Sequence, residues 1–132
     1  MIALDTSVLA RYILRDTLSE LAIAEQLLEE YQCSVSWSVL IELCWVLERS
    51  AGLPRQEVVD GLSAICGMAS IAVPDQAKLA WALARYADGA DFADMVHLAS
   101  AVAGSSGFAT FDRKLVRQSQ PGAPLEVRTL GN

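Results

Sequence analysis

The sequence predicts an α/β fold in three layers, with helices on both faces of a parallel, Rossmann-like central sheet of four to five strands. Three observations predict it. Short apolar runs alternate with longer segments of helical periodicity, the pattern of parallel sheets. The first two runs begin at Ile2 and Cys33, about 30 residues apart, the length of one βαβ unit. The chain has 132 residues, 53% of them hydrophobic, which suits one domain over residues 1–132 with its own core.

Taken in order, Ile2-Ala3-Leu4 reads as a buried strand running into Asp5-Thr6-Ser7. A helix then covers Val8–Leu14, with Thr6 or Ser7 supplying the capping oxygen. The next helix, Leu18–Tyr31, places Leu21, Ala24, Leu27 and Leu28 on one face and its glutamates mostly off it. Cys33–Ser36 is the second strand and Ser38–Ser50 the next helix, stopped by Ala51-Gly52-Leu53-Pro54. Arg55–Gly67 reads as helix, Ser70–Val73 as strand, Asp75–Ala87 as helix broken by Asp88-Gly89-Ala90, and Phe92–Ala103 as helix ended by Gly104-Ser105-Ser106-Gly107. Phe108–Phe111 is a fourth strand, Asp112–Gln118 a short helix and Leu125–Thr129 a weak last strand. The Gln120–Pro124 segment is a loop, and no repeat or linker interrupts the pattern.

Composition removes several classes. A mean hydropathy of +0.33 excludes a disordered chain. Charges recur too often for a membrane span, and the opening Met-Ile-Ala-Leu-Asp has no basic leader, so the expected location is the cytoplasm, with no membrane partner. Cys33, Cys44 and Cys66 form neither a CxxC pair nor a zinc pattern with the single His97. They read as small hydrophobes in a reducing compartment. The net charge of −6 argues against nucleic-acid binding by charge alone. A bound dication would invert that local field.

In open α/β sheets, ligands sit beyond the carboxyl ends of the strands. Asp5 directly follows the first strand. Asp112 follows the fourth, and the two would face one crevice if those strands were neighbours. Asp94 starts the helix that feeds the fourth strand, and Asp91 lies one turn before it. Glu42 lies in the first turn or so of the helix after the second strand. Asp5, Asp91 and Asp112 taken singly also suit helix caps. Glu42 does not complete a capping box, because the position three after Ser38 is Ile41. Among Val39, Leu40, Ile41, Leu43, Cys44 and Trp45 it would be a costly carboxylate without a partner. Four acids on one edge repel one another. A hard cation relieves that repulsion, and oxygen ligands alone favour Mg²⁺, with Mn²⁺ as the alternative. A water on such an ion can attack a phosphodiester.

The ordered set of acidic segments resembles the PIN domain family, in particular its VapC-type toxin ribonucleases. The segments are Ile2-Ala3-Leu4-Asp5-Thr6-Ser7-Val8-Leu9, Ser36-Trp37-Ser38-Val39-Leu40-Ile41-Glu42-Leu43, Asp91-Phe92-Ala93-Asp94-Met95-Val96-His97-Leu98-Ala99 and Ala109-Thr110-Phe111-Asp112-Arg113-Lys114-Leu115. The resemblance implies a PIN-like fold and a catalytic, metal-binding quartet of Asp5, Glu42, Asp94 and Asp112. Asp5 and Asp94 would be its surest ligands. Glu42 and Asp112 would take a second metal or the attacking water. Ser7 and Asp91 are secondary candidates. Ser7 departs from the Asn that many relatives carry there. The resemblance also implies an RNA substrate, a cognate antitoxin whose tail enters the site, and a homodimer.

Other residues carry smaller expectations. Arg113, Lys114 and Arg117 suit the RNA backbone or a solvated helix end. Arg11 and Arg15, one turn apart, suit phosphate or an acidic antitoxin segment. His97 reads as solvated or at the core edge. Trp37, Trp45 and Trp81 read as core, with Trp37 a possible stacking partner for a base. A phosphoacceptor receiver domain needs an adjacent acidic pair after the first strand, and an aspartyl phosphatase needs Asp-x-Asp. Position 7 is Ser, and neither pattern is present. A non-catalytic PIN-like scaffold that binds a partner protein is the alternative.

Overall fold

A computed structural model of the chain describes residues 1–131. The strands are β1 (Ile2–Ala3), β2 (Cys33–Ser34), β3 (Ile71–Ala72), β4 (Gly107–Thr110) and β5 (Glu126–Thr129). The helices are α1 (Thr6–Leu14), α2 (Leu18–Glu30), α3 (Trp37–Trp45), α4 (Arg55–Cys66), α5 (Gln76–Ala87), α6 (Phe92–Ala99) and α7 (Leu115–Gln118). The α/β class is as expected, and every ladder is parallel. The strands fall into two small sheets, ordered β1-β2-β3 and β4-β5. The chain forms two compact units, divided after Pro74.

In the first unit, Ile2 pairs with Cys33 and Cys33 with Ile71. Each ladder runs one residue past its strand: Leu4 N–H donates to Ser34 O at 2.9 Å and Val35 N–H to Ala72 O at 3.0 Å. Leu4, Leu9, Cys33, Val35, Leu40, Leu43, Leu47, Val58, Leu62 and Ile65 are buried. Each such large side chain stabilises the fold by about 1.5–3 kcal/mol. α1 starts at Thr6, two residues before the expected Val8, and its N-cap is Asp5 rather than Thr6 or Ser7. The reason is that both hydroxyls are engaged with carboxylates. α3 starts at Trp37, capped by Ser36, whose Oγ accepts from Val39 N–H at 3.3 Å. Its continuation, Val46–Ser50, widens into a π-type turn closed by Ala51 N–H on Val46 O at 2.9 Å. Gly52, at φ +69°, then reverses the chain where a side chain would be strained.

In the second unit, α5 and α6 pack on each other through Leu79, Ala82, Leu83, Tyr86, Phe92, Met95 and Val96, all buried. Tyr86 and Phe92 meet edge to face at 5.9 Å. α6 stops at Ala99, four residues short of the expected end. Beyond it Val102 is 81% exposed, so further turns would bury nothing to offset the cost of ordering them. α7 likewise begins at Leu115 rather than Asp112, because residues 112–114 form a turn. Among the described residues no helix is long and apolar enough to cross a membrane.

Candidate functional site

In the first unit, the carboxyl end of β1 delivers Asp5 and the helix after β2 delivers Glu42. Ser7 Oγ donates to Asp5 Oδ2 at 2.9 Å. That hydroxyl, then the Thr6 N–H, holds the Asp5 carboxyl below its ordinary value, against a small opposing effect of desolvation. Thr6 Oγ1 donates to Glu42 Oε1 across 36 residues of sequence. Thr6 itself is 5% exposed. A buried hydroxyl on α1 therefore fixes an acid on α3, a pairing the sequence reading missed by treating Thr6 as a cap. The only signal for it was the unexplained carboxylate at position 42.

Glu42 is not sunk in apolar surroundings as its neighbours suggested. Leu40, Leu43, Cys44 and Leu47 turn to the core, and Glu42 lies on the exposed side of α3. Trp45, one turn on, is 58% exposed, which corrects its reading as core. Trp37 and Trp81 are half-buried, and their indole N–H groups donate to Pro74 O at 2.7 Å and Pro121 O at 3.0 Å. Asp5, Ser7, Glu42, Arg11 and Asp16 line one cleft of about 570 Å³, walled on one side by Val46, Ser50 and Ala51 of the widened turn. Arg11 is pinned there by Glu20 at 2.9 Å and Asp16 at 3.4 Å. Arg15 lies 3.9 Å from Glu25.

In the second unit, Asp91 caps α6, its Oδ1 accepting from Asp94 N–H at 2.9 Å. Asp94 is therefore presented in the first turn. Burial pushes its carboxyl above the ordinary value, the charges of Asp91 and then Asp112 push it further, and His97 opposes them weakly. The structure thus brings both Asp91 and Asp112 within electrostatic reach of Asp94. Asp112 is locked in its turn: its N–H donates to Thr110 Oγ1 at 3.0 Å and its Oδ1 accepts from Lys114 N–H at 2.9 Å. His97, Arg113, Lys114 and Arg117 are exposed. The last three form no ion pair among the described residues. Cys33 and Cys44 are buried and all three cysteines are unbridged. Burial lifts the Cys66 thiol to about 11.

The donor chemistry fits a hard dication. All candidate ligands are carboxylate oxygens, and the crowding at Asp94 has the sign that a cation relieves. Among the described residues, no three acid, His or Cys side chains are already closed into a ligand set.

A family model described as PIN domain matches residues 2–120. No curated protein and no solved structure matches the chain significantly.

Proposed function

The chain belongs to the PIN domain family, and from that premise we propose that it is a metal-dependent ribonuclease, the VapC-type toxin of a toxin–antitoxin pair. PIN domains are generally nucleases, hydrolases acting on nucleic acid and commonly using divalent metals. The observation that supports the finer reading most is the extent of the match. It spans 2–120 and so takes in Asp5, Glu42, Asp94 and Asp112 in order, across both units, which this reading treats as one catalytic domain.

Asp5 and Asp94 would hold Mg²⁺ or Mn²⁺, with Glu42 and Asp112 as further ligands or as holders of the water. The chemistry such a dication supplies when bound is an acidified water and neutralisation of charge on the phosphoryl oxygens. The chain's own residues do the rest. Ser7 donates to Asp5 and favours its ionised form, and Thr6 fixes the Glu42 carboxylate. With Oε1 engaged by Thr6, Oε2 is the Glu42 atom that accepts a proton from the attacking water. Asp91 aims Asp94 by capping its helix. Arg113, Lys114 and Arg117, which form no ion pair among the described residues, bind the backbone phosphates of RNA. In this reading the chain acts in the cytoplasm as a homodimer and is restrained by its antitoxin.

The test is RNA cleavage by the wild type and by Asp5→Asn, with and without Mg²⁺ or Mn²⁺. Cleavage that needs the metal and is lost in the variant is expected. Undiminished metal-dependent cleavage by Asp5→Asn overturns the assignment, and RNA binding without turnover by the wild type returns the chain to the scaffold alternative.

A further inference from the structure

We propose that Phe111 is a stacking platform for an unpaired nucleobase of the RNA, seated next to the phosphate that the Asp112 segment engages. The inference rests on the ribonuclease reading and adds a residue that fixes the substrate's conformation. Along β4 the side chains alternate: Phe108 and Thr110 are half-buried and Ala109 is exposed. Phe111 falls on the outward phase and is 79% exposed. It contributes almost nothing to the core. It is also held in place rather than loose. Thr110 is tied to β5 through its pairing with Thr129 and through Leu130 N–H on its carbonyl at 2.7 Å. Asp112 is tied back to Thr110 and forward to Lys114.

Its immediate neighbours supply the remaining chemistry. The Arg113 and Lys114 side chains are exposed and form no ion pair among the described residues, so the segment 111–114 presents an aromatic face, an acid and two cations within four residues. An aromatic face beside cations is how proteins hold single strands, because every base has a π-face and every nucleotide a phosphate. A neutral protein partner would leave two cations beside the ring without an ion-pair partner among the described residues. A nucleic-acid strand brings the matching anions. The commitment is therefore to single-stranded RNA, with preference set by stacking strength rather than by base-edge hydrogen bonds.

The test measures binding of a fluorescent single-stranded RNA oligonucleotide in EDTA, where metal-dependent cleavage does not intervene. The proteins are wild type, Phe111→Ala, Phe111→Leu and Phe111→Trp. Ala and Leu are expected to weaken binding by about 5- to 150-fold, the worth of one base–aromatic stack, and Trp to preserve it. An abasic position in the oligonucleotide should weaken the wild type and leave Phe111→Ala unaffected. Equal binding by wild type, Ala and Leu overturns the inference, as does a Phe111→Ala change from dimer to monomer with RNA affinity unaltered. Metal-dependent cleavage by the wild type with unchanged binding by Phe111→Ala removes this inference alone. Weakened binding by Phe111→Ala without any cleavage by the wild type removes the nuclease reading and keeps the platform. A wild type that binds no RNA removes both.

Discussion

In the unit of residues 1–74, each candidate acid meets a hydroxyl: Ser7 donates to Asp5 and Thr6 to Glu42. In the unit from Asp75 onward, burial raises the proton affinity of Asp94, and the charges of Asp91 and then Asp112 add to it. The Asp5 carboxyl is shifted down and the Asp94 carboxyl up from the same ordinary value of 3.8. The contrast teaches that the candidate carboxylates are held by two strategies. One supplies donors that favour the ionised form. The other combines burial with neighbouring negative charge, which a cation would offset.

The sharpest way to break this contrast is to neutralise one acid on each side. Asp5→Asn and Asp94→Asn should each lower RNA cleavage by roughly 10²–10³-fold, as expected when a preorganised electrostatic group is lost. Their stabilities should move oppositely. The raised Asp94 favours the fold below pH 3.8, and that contribution is lost as pH rises through its folded value. At neutral pH, Asp94→Asn should therefore gain about 1–4 °C in Tm, with the difference closing in acid. The lowered Asp5 favours the fold above pH 3.8 and loses that contribution as pH falls through its folded value, so Asp5→Asn should lose Tm at neutral pH. Thermal melts of both variants across pH check this. Shifts of the same sign would mean the two units do not differ as described.

A metal titration sharpens the same point. At about a hundred times its Kd, Mg²⁺ should stabilise the wild type by about 2.7 kcal/mol. Asp94→Asn should abolish the shift, because it removes a proposed ligand and one of the mutually repelling charges. Glu42→Gln should reduce it less, since Thr6 already stabilises Glu42. Equal losses by differential scanning calorimetry would place the demand for a cation on both units alike.

How far these features were legible in the sequence follows the range of the interactions. Element type came from local periodicity, and the parallel strands from their alternation with helices. The helix ends came out wrong where a side chain had a distant use: Thr6 was read as a cap because nothing local reveals that its hydroxyl reaches Glu42, 36 residues away. Glu42 was recognised as anomalous for the wrong reason. Its neighbours are apolar in sequence, yet the helical period turns them inward and Glu42 outward. The same period exposes Trp45, which composition alone assigned to the core. The four acids were singled out because Asp5 and Asp112 follow strands, Asp94 opens a helix and Glu42 interrupts an apolar one. The asymmetry between them was not, since it depends on which groups face each carboxylate in space.

Thr6→Val tests the donor side by removing one hydroxyl. The buried hydrogen bond is worth about 0.5–1.5 kcal/mol, so a loss of Tm of a few degrees is expected. Cleavage should fall by about tenfold, the equivalent of ~1.4 kcal/mol of lost positioning. Thr6→Ser retains the donor and should recover most of the rate. A structural role without positioning would lower Tm and leave kcat unchanged.

The smallest effect belongs to Ser7. Its hydroxyl is the largest influence lowering the Asp5 carboxyl. In Ser7→Ala that carboxyl should climb back toward 3.8, and the acid limb of the pH–rate profile should move up with it. At neutral pH Asp5 is ionised either way, so the rate should change by less than about fivefold, the worth of one ordinary hydrogen bond. Ser7→Asn supplies an amide donor in place of the hydroxyl and should leave the acid limb where the wild type has it. An acid limb indifferent to Ser7→Ala would mean that Asp5 is not the group whose ionisation gates the reaction, and that the hydroxyl-supported acids contribute architecture rather than charge.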